Sequence, residues 1–153
     1  GMTTLHAENL DYAVKRLTSP PMNVAETYIP LINVAAIEER LQLPNSKSDV
    51  TFGRRLKSLV EVVDYGEYRT ISTWDPINDR FQVNLKDSVI LEKIALRHGI
   101  TMKDVLEEID RRALLLRDLK LKGIRKNVEV AKFITNYYLE APFPRPRESS
   151  KRK

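Results

Sequence analysis

The chain switches its hydrophobic pattern after Val83, and that switch limits the folds open to it. Between Phe52 and Val83, β-branched and aromatic runs alternate with turn-forming residues; from Asp87 onward apolar residues recur at helical spacing. The sharpest punctuation is Asp75-Pro76-Ile77-Asn78-Asp79. An Asp suits the first position of a turn, and the proline ring fixes φ at the second. This predicts a hairpin joining strands over residues 68–73 and 80–83, with a further strand over 52–65.

Three helices should follow. Asp87 is a candidate cap for a helix to about His98, closed by Gly99. Thr101 and Asp104 form a capping pair for a long helix to about Lys122, with Met102, Val105, Leu106, Ile109, Ala113 and Leu116 as its buried stripe. Asn127 opens the last helix, whose inner face would be Val130, Ala131, Ile134 and Tyr138.

Near the start, residues 3–7 are β-prone and Asn9 can cap a helix through about Leu17, ended by Pro20 and Pro21. One helical turn fits residues 25–29, and residues 44–48 read as a polar loop. Residues 31–43 are ambiguous. Ala35, Ala36, Glu38, Glu39 and Arg40 favour helix, while Ile32, Val34 and Ile37 tolerate strand; local propensity alone favours helix.

A length of 153 residues suits one domain able to bury roughly 68–70% of its unfolded surface. No apolar run approaches the roughly 20 residues of a membrane span. With no cysteine there is no disulfide framework, which points to a reducing compartment. Gly1 before Met2 reads as a remnant of tag cleavage. Of the net charge of +5, +3 comes from residues 140–153, where Arg145, Arg147, Lys151, Arg152 and Lys153 face Glu140 and Glu148. The body is nearly neutral, so a nucleic-acid reading cannot rest on the isoelectric point.

Chemistry-bearing motifs are sparse. The five glycines form no phosphate-cradling loop, and no Ser/Thr–Asp pair is positioned to hold magnesium. Two histidines cannot build a His-rich metal site. His98 beside Gly99 reads as a partly exposed residue at a helix C-terminus. His6 ends a β-prone run ahead of a helix, the place where α/β folds put ligand chemistry. Basic residues cluster at Arg54, Arg55 and Lys57 and again from Arg111 to Lys126. Glu107, Glu108, Asp110 and Asp118 interleave with the second set, which favours a solvated, ion-paired face over a nucleic-acid patch. Phe133, Tyr137 and Tyr138 read as core packing.

Thr4-Leu5-His6-Ala7-Glu8-Asn9, followed by Ala13 and Arg16-Leu17, resembles the histidine box of the type II/type IV secretion, pilus and archaellum ATPases. Pro21-Met22-Asn23-Val24, Ile29-Pro30-Leu31, Trp74-Asp75-Pro76 with Asp79 and Phe81, residues 89–95, Arg111-Arg112, Gly123-Ile124-Arg125 and Tyr137-Tyr138 resemble the archaeal branch in the same order. The resemblance runs from about residue 3 to 142.

It implies a RecA-like hexameric motor that uses ATP and magnesium. The phosphate loop, aspartate box and magnesium-binding motif precede the histidine box in that family, so a chain starting at the box should bind no cofactor and hydrolyse no ATP alone. By this resemblance His6 senses or positions the γ-phosphate region, and Arg16 supports the site electrostatically. The resemblance also implies a strand near residues 32–41, antiparallel to 55–63, against local propensity.

The expected fold is α/β with α+β character: a partial RecA-like sheet edge, antiparallel strands and a three-helix cap. Residues 3–85 would be the remnant of the ATPase core, 86–139 the cap and 140–153 a disordered basic tail. Implied partners are neighbouring subunits of the hexamer and a membrane platform protein, in the cytoplasm at the inner face of the membrane, with no direct insertion. Unpaired in isolation, residues 2–8 should be disordered, displaced or swapped into a dimer. The competing reading is a free-standing basic module that binds nucleic acid, a partner the ion-paired faces disfavour.

Overall fold

The computed structural model describes residues 1–42, 52–140 and 143. The loop expected at 44–48 and the expected tail, apart from Glu140 and Phe143, lie outside the described residues. The chain divides into two compact units, Gly1–Ile90 and Leu91–Lys153.

The first unit is built on an antiparallel meander. β1 (Val34–Gln42), β2 (Phe52–Asp64), β3 (Glu67–Asp75) and β4 (Arg80–Val83) lie in sequential order in one sheet. Helix α1 (Leu10–Thr18) and a 3-10 turn (Glu26–Leu31) precede it. The α+β class is therefore as expected. The β-prone residues 3–7, however, form no strand and lie outside the sheet. Arg16 on α1 binds the His6 carbonyl instead, and the sheet has no parallel pair for that segment to extend.

β1 settles the ambiguity over residues 31–43 in favour of strand. It pairs with β2 from Val34 opposite Glu61 to Gln42 opposite Phe52. Helix propensity loses here because β2 needs a second neighbour: Val60, Glu61 and Val62 are buried, and their backbone groups require partners. Local preference of a few tenths of a kcal/mol per residue cannot outweigh that demand.

Leu10 and Val14 of α1, Ile29 of the 3-10 turn, and Val60 and Val62 of β2 form the core of this unit, with Ala13, Leu17, Ala35 and Tyr68 packed against them. Each such aliphatic side chain contributes about 1.5–3 kcal/mol by leaving water. The inner face read from spacing, Leu10, Ala13, Val14 and Leu17, is the one that packs.

α2 (Val89–His98) begins in the first unit, and its remainder lies in the second with α3 (Met102–Leu121) and α4 (Asn127–Glu140). Asp87 does not cap α2. Its carboxylate accepts from Asn84 Nδ2, and the helix start is satisfied by Glu61, to which the Ser88 hydroxyl and the Val89 N–H (2.9 Å) both donate. The Thr101–Asp104 pair does form a reciprocal capping box on α3. Gly99 and Gly123, at φ 62° and 69°, close α2 and α3, with Ile100 N–H returning to Ala95 O and Ile124 N–H to Leu119 O, each at 3.0 Å.

The stripe read for α3 is right in its first half and wrong in its second. Val105, Glu108 and Leu119 are buried and Arg112 and Leu115 half-buried, whereas Ala113 and Leu116 are exposed. Counting only apolar residues missed the stripe because Glu108 and Arg112 occupy inward positions. On α4, Val130, Ile134 and Tyr137 are half-buried; Ala131 and Tyr138 are exposed.

Candidate functional site

Helix α1 organises the surface around His6. Asn9 is extended and its Oδ1 accepts from the Tyr12 N–H at 3.0 Å, which fixes the helix start. Because Leu10 and Val14 face the core, Tyr12, Lys15 and Arg16 point to solvent. Arg16 Nη1 then donates to the His6 carbonyl at 2.9 Å and folds the preceding segment back along the helix. An open depression of about 640 Å³ results, lined by His6, Glu8, Tyr12, Lys15, Arg16 and Ser19 among others. The Lys15 ammonium stands 5.5 Å from the Tyr12 ring centroid.

Both residues singled out from sequence, His6 and Arg16, line this depression. Its cations are Lys15 and Arg16; Glu8 opposes them. These side chains alone could hold an anion, since they sit toward the C-terminal end of α1, where the helix dipole is negative. That polarity favours the cations and gives no help to a phosphate. Among the described residues no group of His, Cys, Asp and Glu could hold a metal ion.

The Trp74-Asp75-Pro76 motif, with Asp79, closes the β3–β4 turn. Asp75 Oδ2 accepts from Asn78 Nδ2 at 2.6 Å and Oδ1 from the Ile77 N–H at 2.9 Å, so its carboxyl is held below the usual range. Asp79, at φ 49°, receives two hydrogen bonds of 2.7 Å from Arg55 and one of 2.8 Å from Trp74 Nε1. The Arg55 bonds, then the indole bond, pull its pKa down to about 2.

In the second unit Arg111, Arg112 and Tyr137 meet at one carboxylate. Glu108, only 2% exposed, accepts from Arg111 (3.1 Å), Arg112 (2.8 Å) and Tyr137 Oη (3.0 Å). Burial pushes its pKa up, but the three hydrogen bonds outweigh that and leave it lowered. The Arg112 guanidinium also lies 5.3 Å from the Tyr138 ring and 5.7 Å from the Phe143 ring. His98 meets Phe143 edge-on at 5.9 Å.

Sequence spacing had set Glu108 among solvated acids and had not marked Glu61. The readable signal for Glu108 was its phase: it falls in line with Val105, Leu115 and Leu119 and stands three and four residues before two arginines. Tyr137 does face inward, while Phe133 and Tyr138 are 39% and 47% exposed.

Half of the residues in the two basic clusters are ion-paired among the described residues. Arg55 binds Asp79 at 2.7 Å, Lys57 binds Glu39 at 2.9 Å, and Lys122 binds Asp118 at 2.6 Å. Arg111 and Arg112 are held by Glu108.

An α+β chain with an anion-compatible depression beside α1 is what fold and site define. No family model matches it. It is similar to three uncharacterized proteins of Methanocaldococcus jannaschii, each 29% identical. The first aligns over 124 positions, 77% of this chain and 44% of the relative. The second aligns over 148 positions, 90% and 19%. The third aligns over 156 positions, 94% and 27%. The chain thus spans less than half the length of each of these relatives.

Proposed function

We propose that this chain is the C-terminal section of an ATP-driven motor of the secretion, pilus and archaellum type. It supplies His6 and Arg16 to the phosphate end of a nucleotide site whose other parts lie on other segments. The observation that carries this reading is the junction of the two residues: Arg16 holds the His6 carbonyl, and both line one depression with Lys15 beside them. The ordered motifs support it, and so does similarity to archaeal chains much longer than this one.

In this reading His6 reports on the γ-phosphate and Arg16 fixes its position. ATP and magnesium belong to the assembled motor, and neighbouring subunits and a membrane platform protein are its partners. No helix among the described residues is long and apolar enough to cross a membrane, which is compatible with a motor working at the inner membrane face.

Three measurements test it. With magnesium and ATP this chain should show no turnover; hydrolysis that survives purification and disappears in His6→Ala would overturn the reading. A phosphate loop should be encoded upstream of Met2, and its absence from the parent gene would count decisively against a motor. Retention on heparin or duplex DNA at ~0.15 M salt would favour a nucleic-acid module instead.

A further inference from the structure

β1 is an open edge. Among the described residues it pairs with β2 on one side and with no strand on the other. The opposite edge, β4, has only four residues, which is one way proteins blunt an edge; β1 has nine. The register slip beside Ile37 and Glu38 is absorbed by an extra residue in β2, Lys57, so β1 itself stays regular.

Alternation along β1 puts Glu38 and Arg40 on one face, and Ile37, Glu39 and Leu41 on the other. Glu39 is neutralised by Lys57 at 2.9 Å. Glu38 and Arg40 are exposed and have no ion-pair partner among the described residues. Arg40 also stands in register opposite Arg54, an arrangement that destabilises a sheet unless an anion lies near. The Phe52 ring, 5.7 Å from the Arg40 guanidinium, supplies no compensating charge.

We propose that β1 is a self-complementary docking edge that pairs antiparallel with β1 of a second copy of this chain. A two-fold axis normal to the sheet keeps each face continuous, so it must pass between one residue and that residue's own copy. Centred on Glu39, it sets Glu38 opposite Arg40 of the second copy, and Arg40 opposite its Glu38. Ile37 then meets Leu41 of the second copy on the other face. The two Glu39 side chains face each other at the axis, each already held by its own Lys57. Centring on Glu38 or on Arg40 instead pairs like with like and leaves the other charge unmatched. The anion that Arg40 lacks within its own sheet is thus provided by the neighbour, and the open backbone groups of both edges are satisfied together.

Sedimentation equilibrium of the full chain, at concentrations up to about 0.1 mM, tests this. The wild type should form a reversible dimer. Arg40→Glu and Glu38→Arg should each weaken it on the order of tenfold or more, because each places two like-charged pairs across the axis. An equimolar mixture of the two variants should regain the dimer, since every reversed charge then meets its complement. Far-ultraviolet circular dichroism is the control that both variants fold. A wild type that stays monomeric, single variants that dimerise as tightly as the wild type, or a mixture of folded variants that stays apart would each overturn the assignment.

Discussion

Asp79 shows how one carboxylate can define a turn. Its φ of 49° lies in the left-handed region, which Asp tolerates better than most residues, and Arg55 and Trp74 hold the side chain from two strands. A folded-state pKa of about 2 lies below the ordinary carboxylate value, so its contribution is full above about pH 4 and is lost as pH falls toward 2. Asp79→Asn should therefore melt below the wild type at pH 6, and the two curves should converge near pH 2. A gap that stays constant with pH would mean the charge is not what matters. Glu108 is the deeper case, being buried with three donors aimed at it. Glu108→Ala takes the carboxylate from Arg112 and Tyr137, leaves Arg111 only its 3.8 Å pair with Glu107, and should cost about 1–3 kcal/mol in urea unfolding.

Elements with local punctuation were legible, and those decided by distant partners were not. The Asp75–Asp79 turn and the Thr101–Asp104 box depend on residues a few positions apart, and both form where spacing placed them. The start of α2 depends on Glu61, far back in β2, so the nearby Asp87 looked like the cap. Likewise the middle of the α3 stripe is polar, Arg112 following Glu108, and hydrophobic counting lost its phase there. His6 and Arg16 were found by motif order; that the Arg16 side chain reaches the His6 carbonyl needed coordinates. β1 carries the strongest conflict, since Ala35, Ala36, Glu38, Glu39 and Arg40 are better placed in a helix. A peptide of residues 31–43 should be unstructured in water and turn helical, not strand-like, in trifluoroethanol. Strand signal from the free peptide would show that β1 needs no help from β2.

At the scale of the whole molecule, the question is how firmly residues 1–7 belong to it. They join no strand, and Arg16 supplies a side-chain tether at the His6 carbonyl. Both residues are exposed, so that bond is worth no more than about 0.5–1.5 kcal/mol and acts locally. The core of the first unit, Leu10, Val14, Ile29, Val60 and Val62, does not include this segment. Arg16→Ala should accordingly leave the melting temperature within about 2 °C of the wild type. The backbone order parameters of residues 4–7 should fall below about 0.6 in the same variant. A loss of several degrees would place the histidine segment within the cooperative core, as a structural strand would be. Loosening without melting would instead mark it as a strap held by one arginine.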